Sequence, residues 1–545
     1  MTDVPLQTDR LLPVYRAVKG LKSQLVRKIL SELRPLMTMV PETLPDVVVK
    51  KYGLASLPDA LLGMHFPSSA EDIIRAKERL AFEELFELLL ASNLNKQANA
   101  KLSGWQIPFD QTVVKQLVAS LPFALTGAQR RAAWDILQDF EREHPMNRLL
   151  QGDVGAGKTV VAAIAARQAV HAGFQVALLA PTEILASQHA RTMADLLEPY
   201  GLSVAFLAGS VSSKRREPLL ANLKDGTIDV IVGTHALLEP GVRFHKLGLV
   251  VIDEQHRFGV NQRQKLLDKS ERMPHLLAMT ATPIPRSLAL TVYGELDVSI
   301  VNEKPAERLP IITRIVSPVS RKQLYGEIDA QLKEGRQAYV ICRLIDDNPA
   351  NEAKSVEMEY RRLQNSVFGH RRIGLLHGRM KPADKDEVMR QFLAHDIDIL
   401  VSTTVVEVGV DVPNATAMMI EDADQYGLSQ LHQLRGRVGR SGYQSYCYLV
   451  TSDTKKPSQR LREVEKSNDG FYLAEVDLRL RGPGEIYGRA QHGALNLQIA
   501  SLADTKLIAT VQKAAQDFVG SGVDLLQYKQ LSTNVEKYQR LTTLN

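Results

Sequence analysis

Two cysteines in 545 residues, Cys342 and Cys447, are too few for a disulfide framework and form no metal-ligand spacing. Both lie in apolar runs, Tyr339-Val340-Ile341-Cys342 and Tyr446-Cys447-Tyr448-Leu449, so they read as small buried hydrophobes. No apolar stretch approaches the ~18 residues of a membrane span. The opening Met1-Thr2-Asp3-Val4-Pro5 lacks the charged-then-apolar order of a secretory signal. Short repeats and low-complexity tracts are missing too. Together these absences give the expectation of a cytoplasmic protein with no membrane partner. What is present is a 44% hydrophobic share, enough for ordinary cores, and a net charge of +5, weakly suited to a polyanion. The length allows roughly three or four domains.

The chain divides by texture. Residues 1–120 read as helical and strand-poor, with Ala70 to Leu94 a long helical pattern. From about 121, short apolar runs alternate with helix-like sequence: Phe174–Ala180, Ile228–Val232, Leu247–Ile252 and Leu276–Met279. That alternation predicts a parallel sheet with crossover helices, whose ligands bind at the carboxyl ends of the strands. Val301 to Pro310, with two prolines and four charges, reads as a linker. A second alternating block follows at Ala338–Ile341, Ile373–Leu376, Ile397–Val401, Ala417–Ile420 and Tyr446–Val450. After about 455 the pattern is helical and charged. The expected domains are 1–120, 121–305, 306–455 and 456–545. The fold class is α/β, with two parallel-sheet domains in tandem between helical regions.

Gly152-Asp153-Val154-Gly155-Ala156-Gly157-Lys158-Thr159 matches the P-loop pattern in full, after apolar Leu149-Leu150 and before a helix. Gly152, Gly155 and Gly157 let backbone N–H groups curl around phosphate oxygens. Lys158 reaches the β- and γ-phosphates, and Thr159 offers its hydroxyl to Mg²⁺. Leu249-Val250-Val251-Ile252-Asp253-Glu254 supplies the acidic partner, a buried strand ending in paired carboxylates. Asp253 would hold Mg²⁺, and Glu254 would deprotonate the attacking water.

Around these two motifs the chain resembles the superfamily 2 helicases, which implies two RecA-like domains. Asp253-Glu254-Gln255-His256 resembles motif II of that superfamily. Phe123 to Gln129 resembles the Q-motif region, with Phe123 and Gln129 implied at adenine. Thr182 falls in a segment like motif Ia, Thr234 and His235 in one like motif Ib, and Thr280 in one like motif III. Thr403, Gly409 and Asp411 fall in a motif V-like run. Gln430 to Arg440 resembles motif VI, which implies that Arg437 and Arg440 cross the cleft to the γ-phosphate. The physical sense is a permanent planar cation facing developing phosphoryl charge. A solvated basic face is the alternative for Arg435, Arg437 and Arg440.

Residues 253–260, 279–286 and 377–382 narrow the resemblance to the RecG family of bacterial ATP-dependent DNA helicases. Ser467-Asn468-Asp469-Gly470-Phe471, Asp477-Leu478 and Arg481-Gly482-Pro483-Gly484-Glu485 are similar to the translocation element that this family shares with the transcription-repair coupling factor. The resemblance covers essentially the whole chain. It implies ATP and Mg²⁺ as cofactors and duplex and branched DNA (forks, Holliday junctions) as partners. A monomer is implied, with single-stranded DNA-binding protein a further candidate partner. Arg481 and Gln491 are implied as the groups that couple ATP turnover to movement. One departure is that Ala490 precedes Gln491, where relatives carry a basic residue and this chain has Arg489 one place earlier. Another is that Leu12 to Tyr15 and Lys19 to Leu21 resemble the segment following the family's wedge barrel, giving the expectation of a truncated chain with weak fork discrimination. A polymerase-pushing motor, an RNA helicase and a non-enzymatic binder fit less well, because residues 1–120 show no strand-rich module, the translocation signature is present and the ATP motifs are intact.

Overall fold

In a computed structural model the described residues are 11–15, 22–283, 285, 296–303, 309–343, 349–404, 410–452, 456–481 and 497–542. Compactness separates two units. Among the described residues, one joins those up to 98 with those from 481 onward; the other holds those of 99–285 and 296–480.

Among the described residues, the larger unit contains two fully parallel sheets. The first has seven strands: β1 (Asn147–Gly152), β2 (Gln175–Leu179), β3 (Val204–Leu207), β4 (Val230–Gly233), β5 (Leu247–Ile252), β6 (His275–Thr280) and β7 (Asp297–Val301). Their spatial order is β3-β4-β2-β5-β6-β1-β7. Leu178, Leu179, Val230, Val250 and Ile252 are fully enclosed because helices cover both faces, so central strands are apolar on both sides. Truncating one such side chain to alanine costs about 2–5 kcal/mol. The helix Lys158–His171 lies close on this sheet because alanines dominate its buried positions, including Ala162, Ala163, Ala165 and Ala166.

The second sheet has six strands: β8 (Ile312–Val316), β9 (Gln337–Ile341), β10 (Ile373–Leu376), β11 (Ile399–Ser402), β12 (Ala415–Ile420) and β13 (Tyr446–Val450). Their order is β10-β11-β9-β12-β13-β8. This is the tandem parallel-sheet architecture expected from the alternating pattern. The expectation had no counterpart for β3, β7 and β8. Each is an edge strand pairing on one side only; β3 is a run of only four residues, and β7 and β8 carry polar residues within the run. The two cysteines are free and buried, as expected.

In the smaller unit the helix Ala70–Asn99 packs with Thr505–Gly520 and Lys529–Thr542. Phe86 meets Phe518 edge to face at 6.0 Å, and Asn534 Nδ2 donates to Glu87 at 2.6 Å. Fully buried Arg79 is tolerated because it pairs with Glu42 and Glu83. Among the described residues no helix is long and apolar enough to cross a membrane.

Candidate active site

Strand order places the motifs. β6 lies between β5 and β1, so motif III, at its end, sits between the acidic pair and the P-loop. All three open at the carboxyl edge of the sheet, where a crevice forms in an open parallel fold.

The P-loop bends through left-handed Gly155 (φ 75°) and Gly157 (φ 82°), conformations that exclude most side chains. A Cβ on Gly157 would also collide with the Gln129 amide. Lys158 is half-buried, and its Nζ donates to the carbonyls of Gly152 at 2.7 Å and Asp153 at 3.0 Å. Burial lowers its pKa, against the raising pull of Glu254, Asp253 and Asp153.

Gln129 is buried, with its amide engaged at both ends. The Thr126 N–H donates to Oε1 at 2.9 Å, and Nε2 donates to the Ala156 carbonyl at 2.8 Å. It therefore caps the helix Gly127–Phe140 and ties that helix to the P-loop. Phe123 is 43% exposed.

Asp253 is buried, and His189, from the helix Glu183–Leu197, bonds it at 2.7 Å between Nε2 and Oδ2. Burial works to raise the Asp253 carboxyl, but the His189 bond and the charges of His189 and Lys158 bring it below its ordinary value. Glu254 adopts a left-handed backbone, φ 50°, uncommon for a residue with a Cβ. Burial, then the Asp253 charge, raises its pKa. The paired carboxylates are thus driven apart, one held ionised and the other kept basic. His189 was not anticipated; it lies 64 residues from Asp253, and no local pattern links them.

The second lobe closes on this site. Gln433 Nε2 donates to Thr282 Oγ1 at 2.6 Å. Gln188 and Asp411 exchange two bonds, at 3.2 and 3.3 Å. Arg437 is buried, and its charge acts on both Lys158 and Glu254. Arg440 is held in its own lobe, with Nη1 3.1 Å from Asp411 Oδ1. Arg435 is fully enclosed and bonds Thr313, Val464, Ser467 and His432. The alternative of a solvated basic face therefore fails for all three: Arg435 and Arg437 are buried, and the Arg440 side chain is 7% exposed.

The nucleic-acid candidates sit at strand ends. Thr182 caps the helix after β2, its Oγ1 accepting from the Leu185 N–H at 3.4 Å. Thr234 follows β4 and Thr403 follows β11; both are buried with hydroxyls that have no protein partner among the described residues. His235 is exposed, and Thr280 Oγ1 accepts from the Thr282 N–H at 3.1 Å. Arg481 ends the helix Gly470–Arg481. Its side chain, Gly409 and Gln491 lie outside the described residues.

Comparison with known proteins finds three family models in succession. Residues 126–291 match the DEAD/DEAH box helicase model, 320–442 the helicase conserved C-terminal domain, and 467–542 domain 3, C-terminal, of ATP-dependent DNA helicase RecG. The chain is 43% identical to the ATP-dependent DNA helicase RecG of Thermotoga maritima over 519 residues, covering 95% of this chain and 66% of that protein. It is 46% identical over 518 residues to that of Staphylococcus aureus, covering 94% of this chain and 75% of the relative. A solved structure of RecG bound to a three-way DNA junction superposes with a TM-score of 0.80 at 42% identity, over 93% of this chain and 66% of that one. The chain thus spans just under two thirds of the first of these relatives.

Proposed function

Since the chain belongs to the RecG family of ATP-dependent DNA helicases, we propose that it hydrolyses ATP between its two lobes to drive movement on duplex DNA. Its substrates on this reading are branched DNAs, forks and Holliday junctions, in recombination and repair. The observation that carries the reading is Arg437, buried in the second lobe yet acting electrostatically on Lys158 and Glu254 of the first. A cleft between two lobes that work together brings a transition-state cation to a P-loop in this way.

In the proposed mechanism the P-loop amides and Lys158 hold the phosphates, Phe123 and Gln129 border the base, and Glu254 takes the proton from the attacking water. Arg437 and Arg440 stabilise charge developing on the transferred phosphoryl group. Asp253, kept ionised by His189, and the Thr159 hydroxyl are hard oxygen donors suited to Mg²⁺, which would neutralise phosphate charge there. Thr182, Thr234, His235, Thr280 and Thr403 serve in DNA binding or in coupling, the buried Thr234, Thr280 and Thr403 from beneath the surface. Gly409 and Asp411 border the nucleotide from the second lobe. Arg481 and Gln491 couple turnover to movement; both fall within the segment matching RecG domain 3. A monomer in the cytoplasm, with single-stranded DNA-binding protein as a candidate partner, completes the proposal.

Lys158→Ala tests the ATP site: DNA-stimulated phosphate release should fall to background, and near-normal turnover would refute it. Gln491→Ala tests coupling: ATPase should survive while triplex displacement per ATP falls. Both activities at wild-type level would remove Gln491 from that role.

A further inference from the structure

A chain of buried side chains leads from the P-loop into the second lobe and takes no part in the chemistry above. His432 Nε2 lies 2.6 Å from Asp153 Oδ1. Arg435 Nη2 lies 2.8 Å from His432 Nδ1. A guanidinium can only donate, so Nδ1 accepts, the ring proton sits on Nε2, and Nε2–H donates to Asp153. Nη1 of the same guanidinium donates to the carbonyls of Val464 at 2.6 Å and Ser467 at 2.9 Å, at the end of the helix Gln459–Lys466. Gly470 opens the next helix against the same imidazole. A Cβ there would stand 2.5 Å from His432 Nε2 and 2.6 Å from Pro283 Cγ.

The input end of this chain is tied to Lys158. Its ammonium donates to the Gly152 and Asp153 carbonyls. Phosphate oxygens that draw the ammonium away release the Asp153 peptide, whose side chain is the one His432 holds. We infer that Asp153, His432 and Arg435 form a relay that reports P-loop occupancy to the Val464–Gly470 junction, with His432 a positioning residue. The inference rests on the proposed ATP site. A tightly packed, fully bonded chain suits this role because moving one member obliges the next to move or leave a buried polar group unpaired.

The test uses the intact chain and a slowly hydrolysed ATP analogue with Mg²⁺. Analogue affinity is measured by fluorescence, and hydrogen–deuterium exchange is followed over residues 464–480. The wild type should change exchange there by about 3-fold or more on binding. His432→Phe keeps an aromatic ring but neither donates nor accepts; it should lose the change while binding the analogue within about 5-fold of wild type. Asp153→Asn keeps an acceptor and should respond like the wild type. Gly470→Ala replaces no relay residue but presses its Cβ on the His432 ring; it should blunt the response, so the inference does not depend on one variant folding. A wild-type response in His432→Phe, a lost response in Asp153→Asn, an unaltered response in Gly470→Ala, or no response in the wild type overturns the relay. Affinity reduced beyond 5-fold in His432→Phe makes His432 a nucleotide-binding group and also overturns it. No analogue binding to the wild type overturns the ATP site and the relay together, whereas normal binding without a transmitted change overturns the relay alone.

Discussion

Glu254→Gln changes one carboxylate oxygen to an amide where the backbone is already committed. Both residues bear the same left-handed cost at φ 50°, so the substitution adds no strain. Burial and the adjacent Asp253 raise the carboxyl, while Lys158 and Arg437 pull it back. A carboxylate in that position is a stronger base toward water than an exposed one. Losing a positioned general base costs about 10²–10⁴ in rate, or about 2.7–5.4 kcal/mol of barrier. Nucleotide affinity should move the other way. A unit negative charge about 4 Å from another repels it by about 4 kcal/mol at an effective dielectric near 20, and the amide removes part of that repulsion. Phosphate release at saturating ATP and duplex DNA should therefore fall about 100-fold or more, with fluorescent-nucleotide affinity unchanged or tighter. Because the base must be ionised, the wild-type rate should fall on the acid side through a midpoint above that of an ordinary carboxylate, about 4.3. The variant's residual rate should lack that limb. Turnover within 10-fold of wild type, or lost nucleotide binding, would refute the assignment.

Arg437→Ala should reduce kcat by about 10³-fold with little change in nucleotide affinity, and by more than Arg440→Ala, whose guanidinium is held by Asp411; single-turnover hydrolysis of both variants ranks them, and the reverse order would exchange their roles. His189→Ala removes the bond that keeps Asp253 ionised, so the Mg²⁺ needed for half-maximal ATPase should rise about 10–100-fold, and an unchanged Mg²⁺ titration would exclude the support role. Glu87, raised from 4.5 to about 7 by burial, favours folding below pH 4.5 and gives that stability up as pH rises through 7. Glu87→Gln should therefore stabilise the smaller unit by up to about 3 kcal/mol at pH 8 and by little at pH 4, read from urea midpoints at the two pH values.

The sequence by itself determined what contiguous residues can carry. The P-loop is eight adjacent residues whose glycines and helix start need only one another, so its identity and place were legible. The central strands were legible because burial on both faces demands unbroken apolar runs, as in Leu247–Ile252. The edge strands β3, β7 and β8 were not, since each pairs on one side only and most of their residues are just partly buried, so no long unbroken apolar run is demanded. Tertiary structure alone decided which side chains met. It placed His189 on Asp253 and His432 on Asp153, and it set Arg437 toward the P-loop while Arg440 stayed with Asp411. It also brought the helix Ala70–Asn99 together with helices more than 400 residues later. Those pairings depend on strand order and on how the second lobe folds back over the first. No local spacing encodes either, because each bond joins residues far apart in the chain, 64 apart for His189 and Asp253 and 279 for His432 and Asp153.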